Sequence, residues 1–136
     1  VDLSPTMLAQ AQARGGYDEL LQADLLQHLD RSARRHDLVL AADVFIYVGD
    51  LAPVFDAVRR VLVPGGLFCF TVEEPDAGDA PAAGFVLRSS LRYAHTHEHL
   101  QALALRHGMR VAEVRTVVLR EEQRRPISGR VYVLQG

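Results

Sequence analysis

Leu38-Val39-Leu40-Ala41-Ala42, followed at once by Asp43, is the stretch that decides the fold. Its apolar residues run without alternation. The segment therefore reads as a strand covered on both faces, which is the habit of parallel sheets. Downstream, Asp50 is placed to cap a helix. Leu51, Val54, Phe55, Val58 and Leu62 then recur at i, i+3, i+4, i+7 and i+11, the stripe of an amphipathic helix. Pro64-Gly65-Gly66 breaks that helix. Leu67 to Val72 follows as a second strand of buried type, ending at Glu73-Glu74.

The same reading extends upstream. Ser4-Pro5 is a helix start, with a hydroxyl at the cap and proline at the first helical position. That helix carries Met7, Leu8 and Ala11 and closes near Gly15-Gly16. Leu20 to Gln22 is a short strand. Asp24 to about Arg35 suits a helix, with Leu25, Leu26 and Leu29 on one face and Arg31, Arg34 and Arg35 toward its C-terminus.

Toward the C-terminus, residues 75–84 are a loop of Pro, Gly, Ala and Asp. Phe85-Val86-Leu87 and Leu91-Arg92-Tyr93 are short strands. Thr96 caps a helix through His107, with Leu100, Leu103 and Ala104 inward and Gly108 closing it. Met109 to Leu119 is a long strand, 120–128 a charged turn, and Gly129 to Leu134 the last strand. Strand and helix alternate four times before a closing pair of strands. That order predicts an α/β, Rossmann-like, mostly parallel sheet with a C-terminal antiparallel hairpin.

Composition narrows the function classes. Of 136 residues, 49% are hydrophobic and 24% charged, which excludes a disordered or fibrous chain. A net charge of −2 argues against a protein that lives by neutralising phosphates, so no nucleic-acid partner is expected. No apolar run approaches the ~18 residues of a membrane span. Cys69 is the only cysteine, which points to a reducing, cytoplasmic compartment. All 15 basic residues are arginine, and lysine and asparagine are absent, the mark of a GC-rich bacterial genome. The chain opens at Val1 without a methionine, in what reads as the end of a strand. The expectation is a single domain over 1–136 that is the C-terminal portion of a longer protein.

In open parallel sheets, ligands bind outside the carboxyl ends of the strands. Four strand ends here deliver an acid to that rim: Asp2, Asp24, Asp43 and Glu73-Glu74. An acid in this position accepts from a ribose diol, and one strand over it can meet an adenine amino group. Neither G-x-G-x-x-G nor G-x-x-x-x-G-K-[ST] is present, so nothing visible cradles a pyrophosphate. The residues fit a nucleoside cofactor without phosphate. Simpler readings stand beside these: a solvated terminus for Asp2, a helix cap for Asp24, a backbone partner for Asp43, core packing for Met7. His95, His97 and His99 alternate, but no cysteine and no carboxylate other than Glu98 joins them, so no metal is assigned. Tyr93 and His95 are candidates for positioning or acid–base work at the substrate. Cys69 reads as a buried inert thiol. Arg120, Glu121, Glu122, Arg124 and Arg125 read as a solvated hairpin tip.

Four ordered blocks carry a resemblance: Asp2-Leu3-Ser4-Pro5-x-Met7-Leu8, Gln22-Ala23-Asp24-Leu25, His36 to Val44, and Leu62-Val63-Pro64-Gly65-Gly66-Leu67. Together they resemble class I S-adenosylmethionine-dependent methyltransferases. The tail, Arg92-Tyr93-Ala94-His95-Thr96 and the strand to Leu119-Arg120, resembles bacterial members found beside tetratricopeptide repeats. The resemblance implies S-adenosylmethionine as cofactor. It implies that Asp2 holds the ribose hydroxyls, Leu3 and Met7 pack near the adenine, and Asp24 and Leu25 meet its edge. Ala41, Ala42 and Asp43 would line the methionine end. Family members begin with a strand and a glycine-rich loop that this chain lacks, and in their sheet order, 3-2-1-4-5-7-6, that strand is central. Its absence implies open sheet edges, a possible pairing with a second copy through an exposed edge, and a fragment that need not be active alone. Three functions are therefore carried forward. They are methyl transfer to an unidentified acceptor, a non-catalytic module binding a partner through its open edge, and a nicotinamide-dependent enzyme. The Pro-Gly-Gly block and the closing hairpin argue against the last.

Overall fold

The computed structural model describes residues 1–122 and 124–136. The chain forms two compact units, Val1–Arg34 and Arg35–Gly136.

In Val1–Arg34, helix α1 (Pro5–Arg14) starts as the sequence predicts, with the Ser4 hydroxyl accepting from the Met7 N–H. Gly15, at φ +73°, ends it by donating to the carbonyls of Ala11 and Gln12. Helix α2 (Leu25–Arg31) is capped by Asp24, whose Oδ1 accepts from the Gln27 N–H at 3.0 Å. It stops four residues short of Arg35. Ser32 turns extended there and its hydroxyl accepts from the Arg34 N–H at 3.3 Å, a local bond that competes with another helical turn. The strand predicted over Leu20–Gln22 contracts to one parallel bridge between Asp2 and Gln22. Two hydrogen bonds close it: Asp2 N–H to the Leu21 carbonyl at 3.0 Å and Ala23 N–H to the Asp2 carbonyl at 3.2 Å.

In Arg35–Gly136, the elements are β1 (His36–Ala41), a 3-10 turn (Phe45–Tyr47), α3 (Ala52–Val61), β2 (Leu62–Glu73), β3 (Phe85–Leu87), β4 (Tyr93–His95), α4 (His97–Arg106), β5 (Arg110–Glu122) and β6 (Arg125–Gln135). They build a six-stranded sheet in the order β3-β4-β2-β6-β5, with β1 also on β2. β2 pairs parallel with β1 and with β4. It pairs antiparallel with β6, and β3–β4 and β5–β6 are antiparallel as well. The α/β fold is as expected, but the sheet is mixed rather than mostly parallel, because two hairpins supply four of its strands. The core lies between β2 and its helices. Phe55 of α3 meets Phe68 and Phe70 edge-on, with centroids 5.6 and 5.7 Å away, and Tyr132 of β6 stacks on Phe70 at 5.1 Å. Val54, Val58 and Val61 of α3 and Leu100 and Leu103 of α4 complete it.

Several boundaries move, each for a local reason. The 38–42 run is covered on one face only. Leu38 and Leu40 are 53% and 68% exposed, while Ala41 is buried. Pro64-Gly65-Gly66 does not precede the strand; β2 begins directly after α3, and the three residues form an irregularity within it. Gly65, at φ +79°, donates to the Gly136 carbonyl at 2.7 Å, which keeps the segment paired. β4 is Tyr93–His95, not 91–93, because Leu91 at φ +60° sits in the turn. Asp50 does not cap α3. Leu51 takes that place, and the Asp50 carboxylate accepts one residue further on, from the Ala52 N–H at 2.9 Å. The predicted charged turn is mostly strand, with Arg120 paired to Ile127 and Glu121 to Pro126. Gln123 of that turn lies outside the described residues.

Candidate functional site

In the first unit, the parallel bridge at Gln22 places Asp2 and Asp24 at the same end of two adjacent extended segments. Each carboxylate spends one oxygen on local structure. Asp2 Oδ1 accepts from the Ser4 N–H at 2.7 Å, and Asp24 Oδ1 from the Gln27 N–H at 3.0 Å. Asp2 is exposed and Asp24 half-buried. The cap reading of Asp24 is thus correct, and it leaves Oδ2 for another donor. Leu3 and Met7 are exposed, at 67% and 53%, and no residue of α1 is buried, so Met7 is not a core residue. Leu25 is half-buried.

In the second unit, Ala41 is buried at the end of β1, with Ala42 and Asp43 exposed just beyond it. Asp43 sits at φ +57°, a backbone region that a non-glycine residue occupies only where its surroundings hold it. Its N–H donates to Thr71 Oγ1 at 2.8 Å, and its Oδ1 accepts from Arg120 Nη1 at 3.1 Å. The simple expectation for Asp43, a backbone partner for its carboxylate, gives way to an arginine. Arg120 is therefore not part of a solvated tip. The register shift between Val118 and Arg120 marks where β5 departs from regular pairing, and the side chain is half-buried. Glu73 ends β2 and is buried between Arg88 and Arg120. Glu74 pairs with Arg130 at 2.7 Å.

The two acid–base candidates take different positions. Tyr93 is half-buried, its ring 6.0 Å from Phe85. His95 is fully buried, and its Nε2 lies 2.9 Å from the Gly49 carbonyl. A carbonyl only accepts, so Nε2 carries the proton and Nδ1 is bare. Among the described residues, that Nδ1 is buried without a hydrogen-bond partner. Burial pushes the His95 pKa down, against the opposing pull of the Gly49 and Val48 carbonyls. The ring lies 6.0 Å from that of Phe85, and its Nε2 ties β4 to the backbone at Gly49. His97 donates to or accepts from the Tyr132 hydroxyl at 2.8 Å. Among the described residues, no group of three or more His, Cys, Asp or Glu is arranged to hold a metal ion. Cys69 is half-buried, and burial raises its thiol pKa, which keeps it protonated.

Reading the sequence missed Arg88, Arg120 and Gly49. All 15 basic residues are arginine, and nothing in the sequence marks the two that turn inward. Gly49 carries a weak signal only in retrospect. A Cβ there would stand 2.8 Å from Tyr93 Cε1 and 2.9 Å from Phe85 Cε2.

A family model described as a methyltransferase domain matches residues 1–70, just over half of the chain. No curated protein matches the sequence. Among solved structures, an S-adenosylmethionine-dependent methyltransferase from Mesorhizobium loti aligns with a TM-score of 0.67 at 24% identity, over 98% of this chain and 78% of that one. A putative S-adenosylmethionine-dependent methyltransferase from Listeria monocytogenes aligns at 0.73 and 17%, over 98% and 76%. The N-methyltransferase NodS from Bradyrhizobium japonicum, in complex with S-adenosylhomocysteine, aligns at 0.70 and 18%, over 99% and 64%. At these identities the likeness is one of fold.

Proposed function

The chain belongs to the methyltransferase-domain family, and from that premise we propose that it binds S-adenosylmethionine and directs its methyl group to an acceptor. One observation carries the reading. Two acidic residues, Asp2 and Asp24, end adjacent parallel segments, and each keeps one carboxylate oxygen that its local hydrogen bond does not use. That pair of acceptors fits the cofactor: a carboxylate matches vicinal ribose hydroxyls, and a second one an exocyclic amino group.

When bound, the cofactor supplies a methyl group on a sulfonium, open to in-line displacement. The chain's own residues have the task of holding. Asp2 would accept from the ribose hydroxyls and Asp24 from the adenine amino group. Leu3, Met7 and Leu25 offer the apolar surface that an adenine face requires, and Leu3 and Met7 are exposed to do so. Within the second unit, Ala41, Ala42 and Asp43 are assigned to the methionine end. There the two alanines would offer small side chains, and Asp43 would offer a carboxylate to the cofactor's positive charge. Tyr93 contributes an aromatic wall on the acceptor side.

Positioning supplies most of the rate in a displacement of this kind, so no general base is required unless the acceptor must lose a proton. The test is calorimetric titration of the protein with S-adenosylhomocysteine, alongside Asp2→Asn. Binding that weakens about tenfold or more in the variant supports the assignment, at ~1.4 kcal/mol per tenfold. No binding to the wild-type protein would sink it.

A further inference from the structure

Glu73 closes β2, the strand in the middle of the sheet, and is only 2% exposed. Burying a carboxylate to that degree is costly unless cations meet it. Two arginines do so, one for each oxygen. Arg88 Nη1 donates to Oε2 at 3.0 Å, and Arg120 Nη2 donates to Oε1. They arrive from opposite directions: Arg88 directly follows β3 at one edge of the sheet, and Arg120 lies on β5 at the other.

Neither arginine stops at Glu73. Arg120 Nη1 goes on to Asp43 Oδ1 at 3.1 Å, beyond the end of β1. Arg88 Nη2 donates to Asp76, and its Nε lies 3.3 Å from Asp79 Oδ2, so the segment after β2 is tied down as well. A guanidinium can serve two acceptors in one plane, which a lysine cannot. These are not solvated surface pairs. The Arg88 and Arg120 side chains are 15% and 19% exposed, against 77% for Arg34 in its pair with Glu19.

We propose that Glu73 is a shared anchor for the site. Through Arg120 it holds Asp43 in place, and through Arg88 it holds the acidic loop at 75–84. Arg120 is thus a positioning residue for the cofactor end, and Arg88 one for the acceptor side. Asp43 needs such a tether because its backbone lies in the left-handed region, where its N–H is held by the Thr71 hydroxyl. The proposal rests on the methyltransferase reading for what Asp43 and the loop do, and on the structure alone for how they are held.

The experiment is hydrogen exchange and S-adenosylhomocysteine titration on the full chain, with Arg120→Lys, Asp43→Asn, their double variant, and Arg88→Lys. The lysine variants keep a cation opposite Glu73, so the fold persists, and a melting curve checks it. Arg120→Lys is expected to speed exchange at the Asp43 amide and to weaken binding about five- to tenfold. Asp43→Asn should weaken it at least as much, since it also removes the charge assigned to the methionine end, and the double variant should fall little below Asp43→Asn alone, because Arg120 acts through Asp43. Arg88→Lys is expected to speed exchange at the Asp76 and Asp79 amides. Wild-type exchange rates in both lysine variants, or losses that simply multiply in the double variant, would overturn the anchor. If the wild-type protein does not bind S-adenosylhomocysteine, the methyltransferase reading falls, and the exchange rates alone uphold or overturn the anchor.

Discussion

His95 Nε2 donates to the carbonyl oxygen of Gly49 at 2.9 Å, across 46 residues of chain. The bond joins β4 to the loop that follows the 3-10 turn, and it fixes which nitrogen of the ring is protonated. It also has a consequence for stability. Burial lowers the His95 pKa from its ordinary value of 6.5, and the neighbouring His99 pushes the same way. Burial lowers His99 too, with Asp50 opposing and Arg106 adding to the shift. The unfolded chain therefore takes up protons at a higher pH than the folded one.

From that difference the direction of the pH dependence follows. Well above pH 6.5 both states hold these histidines neutral, and neither histidine costs stability. Below it the unfolded state gains protons first, so stability falls as the pH drops toward the lowered folded values. Urea midpoints measured between about pH 7 and pH 5 should decline, and the decline should be shallower in His95→Gln, which cannot titrate. Equal slopes in the two proteins would refute the assignment to His95.

Gly49 and Gly129 offer a graded test of packing. At Gly49 a Cβ would meet the rings of Tyr93 and Phe85 at 2.8 and 2.9 Å. Rings can shift, so Gly49→Ala should cost about 1–3 kcal/mol. At Gly129 the same atom would lie 2.2 Å from the Val72 carbonyl oxygen, which belongs to the paired neighbouring strand. Backbone in the middle of a sheet has nowhere to go, so Gly129→Ala should be the more damaging. Denaturant titrations of both variants would show it, and the reverse order would contradict the packing described.

How much of this was written in the sequence depends on the range of the interaction. Ser4, Asp24 and Thr96 act on backbone three residues away, and all three caps stand where the sequence places them. The stripe from Leu51 to Leu62 likewise encodes its own burial, and Leu51, Val54, Phe55, Val58 and Leu62 are all buried. The bounds of the short strand β4 are set by the turn at Leu91 and by pairing with β3, neither of which leaves a mark in the local sequence. Leu38 and Leu40 show the limit of composition: an apolar run states what could be covered, not what is. Arg120 shows the limit of charge. Glu121 and Arg124 beside it are exposed as expected, while Arg120 turns toward Glu73 and Asp43, partners 47 and 77 residues away. No local pattern distinguishes it.

Asp24 can be tested for two roles that ordinary substitution would confuse. Its Oδ1 caps α2, so Asp24→Ala removes a cap worth about 0.5–2 kcal/mol whether or not the residue meets a cofactor. Asp24→Ser keeps a capping oxygen and removes the second carboxylate oxygen. If that second oxygen accepts from adenine, Asp24→Ser should retain the wild-type melting temperature and still bind S-adenosylhomocysteine about tenfold more weakly. If Asp24 is a cap and nothing more, Asp24→Ser should match the wild-type protein in both measurements, while Asp24→Ala alone melts lower. The pair of variants thus separates the energy of a helix end from that of a ligand contact at one side chain.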